Sequence, residues 1–538
     1  MSKKRKWIVA LALAAIVVAA AFTITASMVA RRIEPLARQA AIQYLSQRFD
    51  SDVELRALQI HLPKISLPRM IWTRGRGITV QLEGQGLSMR LHSRPEAVPL
   101  FVIRQFHCAI KLDSLFNPPV IVPRVTVDGM EIQIPPRDEK RQAPSAGGGE
   151  AASPGSPGVK IGEVTIQNAA LVLQPRDPRR IPLRFEIQRL QLISQGAGAP
   201  MKYDAALTNA KPPGKIQTSG AFGPWSAGEP GETPVSGDYR FDKADLGVFA
   251  SIAGTLDSTG RFEGQLSALK VRGQASVPDF RLKMSGNPVP LTTRFTVLVD
   301  ATNGNTTLEP VSATLGSTRF TTSGGIIKHE ANQPRAISLN VSMPNGDLRD
   351  VLRLAMKGSP FMEGRLSLRS KIDIPPLAAK VRQKLVLDGT FEVHQAKFLH
   401  STIQNQVDGL SRRARGEQEN PQADTAVSQM SGAFHLENAA MRFSRLSFGI
   451  PGAHIALVGD YTLNGDVLNF GGTLALQATV SQIVGGWKGA LLRPIDRFFE
   501  KDGAGTLLHI RVDGTSRAPK FGVVIAGRVL EAPLPKKR

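Results

Sequence analysis

Few side chains in this sequence have the type and spacing that chemistry needs. The single cysteine, Cys108 in RQFHCAIKL, alternates with Phe106 and Ile110, the pattern of a small buried hydrophobe in a strand rather than of a nucleophile. The nine histidines stand singly, with no H-x-H or H-x-x-x-H spacing; His394 and His400 are the nearest pair. Without a cysteine cluster either, a zinc site has no ligand set. Asp50 and Asp52 form one carboxylate pair at a helix-to-strand junction, where solvated cap residues fit better than an acid–base couple. Neither a Walker A run nor a G-x-S-x-G elbow occurs, and the glycines of GRGITV (Gly75) and GAGTLL (Gly503) do not complete G-x-G-x-x-G. No enzyme, metal or cofactor is expected.

What the chain repeats is a strand pattern. VTVDGMEIQI at 125–134 returns thirty-nine residues later as VTIQNAALVL at 164–173. In each, apolar and polar residues alternate, break at a two-residue corner and alternate again. ITVQLEGQGLSMRL does the same through Ile78, Val80 and Leu82, then Leu87, Met89 and Leu91, which predicts a turn at Gly84–Gly86. The C-terminal part alternates most clearly. One face of KLVLDGTFEV carries Leu385, Leu387, Gly389, Phe391 and Val393. One face of HIALVGDYTL carries Ile455, Leu457, Gly459, Tyr461 and Leu463. One face of VLNFGGTLALQATV carries Leu468, Phe470, Gly472, Leu474 and Leu476. A period of two means strands with one apolar face. The mid-strand glycines point to bulges, bends or close backbone approach.

Helices are scarce by comparison. Candidates lie at 346–356, near 242–252, near 401–411, and in SQIVGGWKGALLRPIDRFF at 481–499. In the last, Ile483, Trp487, Leu491, Ile495 and Phe498 form an amphipathic stripe, which either caps a sheet end or closes a groove. So little helix cannot cover roughly twenty strands, and each exposed Leu or Phe forgoes about 1.5–3 kcal/mol. The sheet therefore packs on itself, or it curls into a trough that holds a ligand. The fold class expected is mainly β: an N-terminal transmembrane helix, then an elongated, curled antiparallel β-sheet (groove or taco-like) with a few short amphipathic helices.

The 538 residues carry 67 basic and 45 acidic side chains, a net charge of +22. Such a balance suits anionic partners, phospholipid headgroups among them. Nucleic acid is not expected, because Trp and Tyr number only four each and the phenylalanines sit in strand positions. After Lys3, Lys4, Arg5 and Lys6, the run from Trp7 to Ala30 is 24 residues without a charge. As a helix it would measure about 36 Å, enough to span a bilayer. The basic tip favours a cytoplasmic N-terminus, although ITASMVA also offers small residues of the kind a signal peptidase cleaves.

The organisation read from sequence is a tip and anchor (1–32), a helix with strands (33–136), and a flexible Pro/Gly/Ser linker (137–158). A β-groove section (159–400), a helix with a polar insertion (401–426), a closing β-region (427–530) and a basic tail (531–538) follow.

Within the closing region, PGA at 451–453 followed by Gly459, Tyr461 and Leu463 resembles the C-terminal region of AsmA-like proteins of the bacterial envelope. Lys488, Leu491, Leu492, Phe498, Phe499 and Lys501, then Ile510, Val512, Gly514, Thr515, Pro519 and Phe521, are similar to that family's closing segment. VELRALQIHL is similar to its opening, though RFDSDVEL lacks the glycine expected before the first strand. The family's wider kin include TamB and the eukaryotic bridge-like lipid transfer proteins. The resemblance implies an inner-membrane anchor and a periplasmic curled sheet with a hydrophobic groove. It also implies a role in outer-membrane biogenesis and lipid homeostasis, with phospholipid as the ligand. A second expectation, of another class, is a periplasmic scaffold that assists outer-membrane protein assembly through exposed sheet edges, without moving lipid.

Overall fold

The computed structural model describes positions within 35–46, chiefly the strands 51–61, 79–91, 101–111 and 120–134, then 159–174 and, with short gaps, 182–479 and 505–531. The expected anchor, the 137–158 linker and the 483–498 stripe lie outside the described residues. Among those residues, no helix is long and apolar enough to cross a membrane. The chain is mainly β, with few helices, and divides into two compact units, Met1–Phe241 and Asp242–Arg538.

The first unit contains β1 (Ser51–His61), β2 (Thr79–Leu91), β3 (Phe101–Lys111) and β4 (Val120–Ile134). It continues with β5 (Val159–Leu173), β6 (Leu183–Ile193), β7 (Met201–Ala210) and β8 (Pro213–Phe222). Each pairs with the next in sequence order. All of these pairings are antiparallel except one. The two repeated stretches pair with each other in parallel, Val125 with Val164, Val127 with Ile166 and Ile132 with Leu171. The thirty-nine-residue spacing of the repeat is the register of the pair. A parallel pair needs a crossover of a dozen or more residues, and the stretch between β4 and β5, read from sequence only as a flexible linker, supplies that length.

The corners are not turns. β2 runs unbroken through Gly84–Gly86, where a turn was expected, and β4 and β5 run unbroken through Gly129 and Asn168. Gly86, Gly129 and Asn168 take φ of 67°, 70° and 54°, a local twist that shifts the side-chain phase without ending the strand. The shift falls on one line across six strands. Core residues step by three there: Leu55 to Leu58, Ile103 to Phe106, Val127 to Met130, Ile166 to Ala169 and Ile187 to Leu190. Because every strand changes phase at the same row, the apolar face stays continuous. The line ends in β6, where a bulge between Ile187 and Arg189 absorbs the extra residue. Ile42 and Leu45, helical residues, pack on this core.

Strand β9 (Pro234–Asp245) carries the chain from the first unit into the second. The helix expected near 242–252 is instead the end of β9, a 3-10 turn at Leu246–Val248 capped by Asp245, and β10 (Ile252–Ala253). Asp245 accepts a hydrogen bond from the Gly247 backbone, and this local bond competes with a longer helix. Strand β11 (Thr255–Gln265) and β12 (Ala268–Val277) follow; β13 (Arg281–Leu282) pairs only with β10. Then come β14 (Leu291–Val299), β15 (Thr306–Leu315), β16 (Thr318–Ile327), β17 (Ala336–Asp347), β18 (Met362–Ile374) and β19 (Val386–Phe398). The series closes with β20 (Ser428–Glu437), β21 (Ala440–Ile450), β22 (Ala453–Thr462), β23 (Val467–Leu476), β24 (Thr506–Thr515), β25 (Ala518–Ile525) and β26 (Arg528–Glu531). From β14 onward each pairs antiparallel with its successor.

Two helices lie against this sheet. Helix α1 (Leu348–Ala355) buries Leu348, Val351 and Leu352 against Met343, Met362, Leu366 and Val393. Helix α2 (Ser401–Ala414) lays Val407, Leu410 and Ala414 on Ile450, Ala453 and Leu476. Strands β17, β19, β21 and β23 end, and β18, β20 and β22 begin, at the edge these helices cover.

Candidate functional site

Registers in the second unit align the sequence-expected groove residues in rows that cross the strands. Leu387 stands opposite Leu436, which faces Met441, then Tyr461, then Leu468. The next row is Gly389, Phe434, Phe443, Gly459 and Phe470. Beside it run Phe391, Gly432, Leu446, Leu457 and Gly472. The row nearest the helices is Val393, Met430, Phe448, Ile455 and Leu474, with Ile450, Ala453 and Leu476 beyond it. Leu385, half-buried, precedes β19. The candidates thus share one face, but not one environment. Val393 and Leu476 are packed beneath the helices, and Phe470 is buried beside Phe443, with ring centroids 5.8 Å apart. Leu387, Phe391, Ile455, Leu457, Leu468 and Leu474 stay half-buried.

Residues from β20 and β21 complete these rows, although the sequence reading did not single them out. Their signal was present: Gly432, Phe434 and Leu436 alternate in MSGAFHLE as clearly as the residues of β19.

Farther along the same face the sheet hollows. A depression of about 670 Å³ opens where Thr322, Val341, Ser370, Gly389 and Phe434 meet. One of about 450 Å³, floored by Gly273 and Phe295, shares Pro310 with it. Both fall within the range of ligand sites, roughly 300–1,000 Å³. Small residues in successive strands make the floor low, and Arg369, Lys371 and Asp388 of the same strands also border the larger hollow. Thr322 Oγ1 is buried and has no hydrogen-bond partner, so the larger hollow holds one unmet polar group.

The opposite face is solvated and charged. Arg442 pairs with Asp460 at 3.1 Å, Arg511 with Asp513 at 2.9 Å and Lys371 with Asp373 at 2.9 Å; such solvent-screened pairs add little to stability. His435 Nδ1 lies 2.6 Å from Asp388 Oδ1, with Glu437 at 3.6 Å from Nε2. The hydrogen bond to Asp388, reinforced by both negative charges, raises the imidazole above its ordinary 6.5. A raised folded-state value stabilises the fold fully below the ordinary imidazole range, and that contribution is lost as pH rises through the folded value. A histidine-resolved NMR titration should place His435 above 6.5 and return it towards that value in Asp388→Asn; an unchanged midpoint in the variant would contradict the assignment.

Among the described residues, no group of three or more potential metal ligands occurs. Burial pushes the Cys108 thiol up to about 11, so at neutral pH it is not a thiolate. No protein-family model, curated protein or solved structure matches the chain. Its apolar face and hollows are what remain to be explained.

Proposed function

We propose that the protein holds or transfers phospholipid acyl chains along the apolar face of its second unit, as an AsmA-like envelope protein with a curled, trough-forming sheet. The observation that carries this is the row pattern: half-buried leucine, isoleucine and phenylalanine on consecutive strands, over which α1 and α2 are the helices that pack among the described residues. Each methylene of a chain laid there gains about 0.8 kcal/mol. On this reading Trp7–Ala30 anchors the chain in the inner membrane, the sheet lies in the periplasm, and the function serves outer-membrane biogenesis and lipid homeostasis. No catalytic step is required.

The scaffold reading needs free sheet edges. At β1 the edge is partly engaged, since Arg38 Nε donates to the Leu55 carbonyl at 2.6 Å and Ser46 Oγ to the Ser51 carbonyl at 2.7 Å. Photo-crosslinking separates the two. With benzoylphenylalanine at Leu387 or Leu457 of the full chain in cells, mass spectrometry should find phospholipid adducts, and none from the outward Gln477. Polypeptide adducts in place of lipid would favour the scaffold.

A further inference from the structure

The floor of the apolar face is built from paired glycines and phenylalanines, and one pairing is reciprocal. Across β19 and β20, Gly389 faces Phe434 while Phe391 faces Gly432. A Cβ on Gly389 would stand 2.7 Å from Phe434 Cζ, and one on Gly432 would stand 2.6 Å from Phe391 Cε1. Both distances are far inside van der Waals contact, so each ring occupies the space that a side chain on the opposing residue would take. The rings lie 6.3 Å apart, tilted by 42°. A strand side chain ordinarily stands away from the sheet; here each ring leans over its neighbour's glycine. Gly389 and Phe434 also border the larger hollow, so the leaning rings decide how much room remains above the floor.

We propose that Gly389, Phe391, Gly432 and Phe434 form a clearance-setting box, which selects slim, unbranched acyl chains over bulky ones. This rests on the lipid reading above. A methyl at Gly432 must lift the Phe391 ring into the groove, whereas shortening Phe391 must deepen it.

The test uses the full chain in amphipol with two fluorescent fatty acids, slim parinaric acid and a bulky anthroyloxy-stearic acid. Gly432→Ala should weaken parinaric acid binding about tenfold, equivalent to about 1.4 kcal/mol of overpacking. Phe391→Leu in the Gly432→Ala background should restore it to within about twofold. Phe391→Leu alone should admit the anthroyloxy probe, and this arm stands even where Gly432→Ala does not fold. Circular dichroism and Tm identify folded variants. A folded Gly432→Ala that binds parinaric acid as wild type does, a loss that Phe391→Leu fails to rescue, or a Phe391→Leu protein that still rejects the bulky probe would each overturn the box and leave the lipid reading in place. A wild-type protein that binds neither probe overturns both.

Discussion

Leu387→Asp and Leu457→Asp, introduced together, should abolish lipid capture while leaving the protein folded. Both leucines are half-buried and belong to neither packed cluster beneath the helices. In the empty protein each carboxylate can therefore reach water, and the fold should lose only about 1 kcal/mol per site. With a chain in place the same carboxylates must be desolvated without a partner, at a cost of several kcal/mol. That difference is large enough to remove bound lipid altogether. Gln477→Glu, on the opposite face, should change nothing. Leu476 is a poor test position, although sequence alone made it as attractive as Leu387: it is 9% exposed beneath α2, and a charge there would undo packing rather than report on the groove. The measurement is phospholipid recovered per protein, read beside the melting temperature. Lipid retained in the folded double variant would mean that this face does not carry it.

How much of this was legible follows from which interactions are local. Alternation is set within a strand, so the faces of β19, β22 and β23 could be read from their own residues. Which row each residue joined could not, because register depends on partners that no single strand encodes. The mid-strand glycines show the limit. Read alone, Gly389 or Gly432 signals a bend or a close approach; that each seats a phenylalanine of the next strand is a cross-strand fact. The same holds for Gly84, where a Cβ would collide with the Phe106 ring. The helices expected at 346–356 and near 401–411 form as α1 and α2. The one expected near 242–252 was not formed, because Asp245 caps a single turn and β9 claims the preceding residues. Parallel pairing of the repeat was likewise concealed. Two similar stretches thirty-nine residues apart suit an antiparallel neighbourhood equally well until the register is known.

Deleting Gly129 should prevent the first unit from folding. The residue sits on the line where β1 to β6 change phase, with φ of 70°. Without it, β4 beyond the line is one residue short of β3 and β5, so holding the ladder there in register turns Ile132 and Ile134 outward and brings Glu131 and Gln133 in. Two large apolar side chains exposed at about 1.5–3 kcal/mol each and two polar ones buried at about 1–3 kcal/mol each amount to roughly 5–12 kcal/mol, as much as a domain's whole stability. Deleting Asn168 as well should not rescue it. The parallel pair would again agree with itself, but β3 on one side and β6 on the other would keep their phase change, so both outer registers would still conflict. Asn168→Gly should by contrast be nearly silent. Glycine relieves the left-handed φ of 54°, which offsets the lost bond from Asn168 Nδ2 to Asp128 at 2.7 Å, leaving a net change within about 0.5 kcal/mol. Hydrogen exchange over β1–β6 reads all three variants. Wild-type protection in the Gly129 deletion would mean that the strand slides to a new register at little cost. The shared kink line would then be a local accommodation rather than the feature that holds the apolar face of the first unit together.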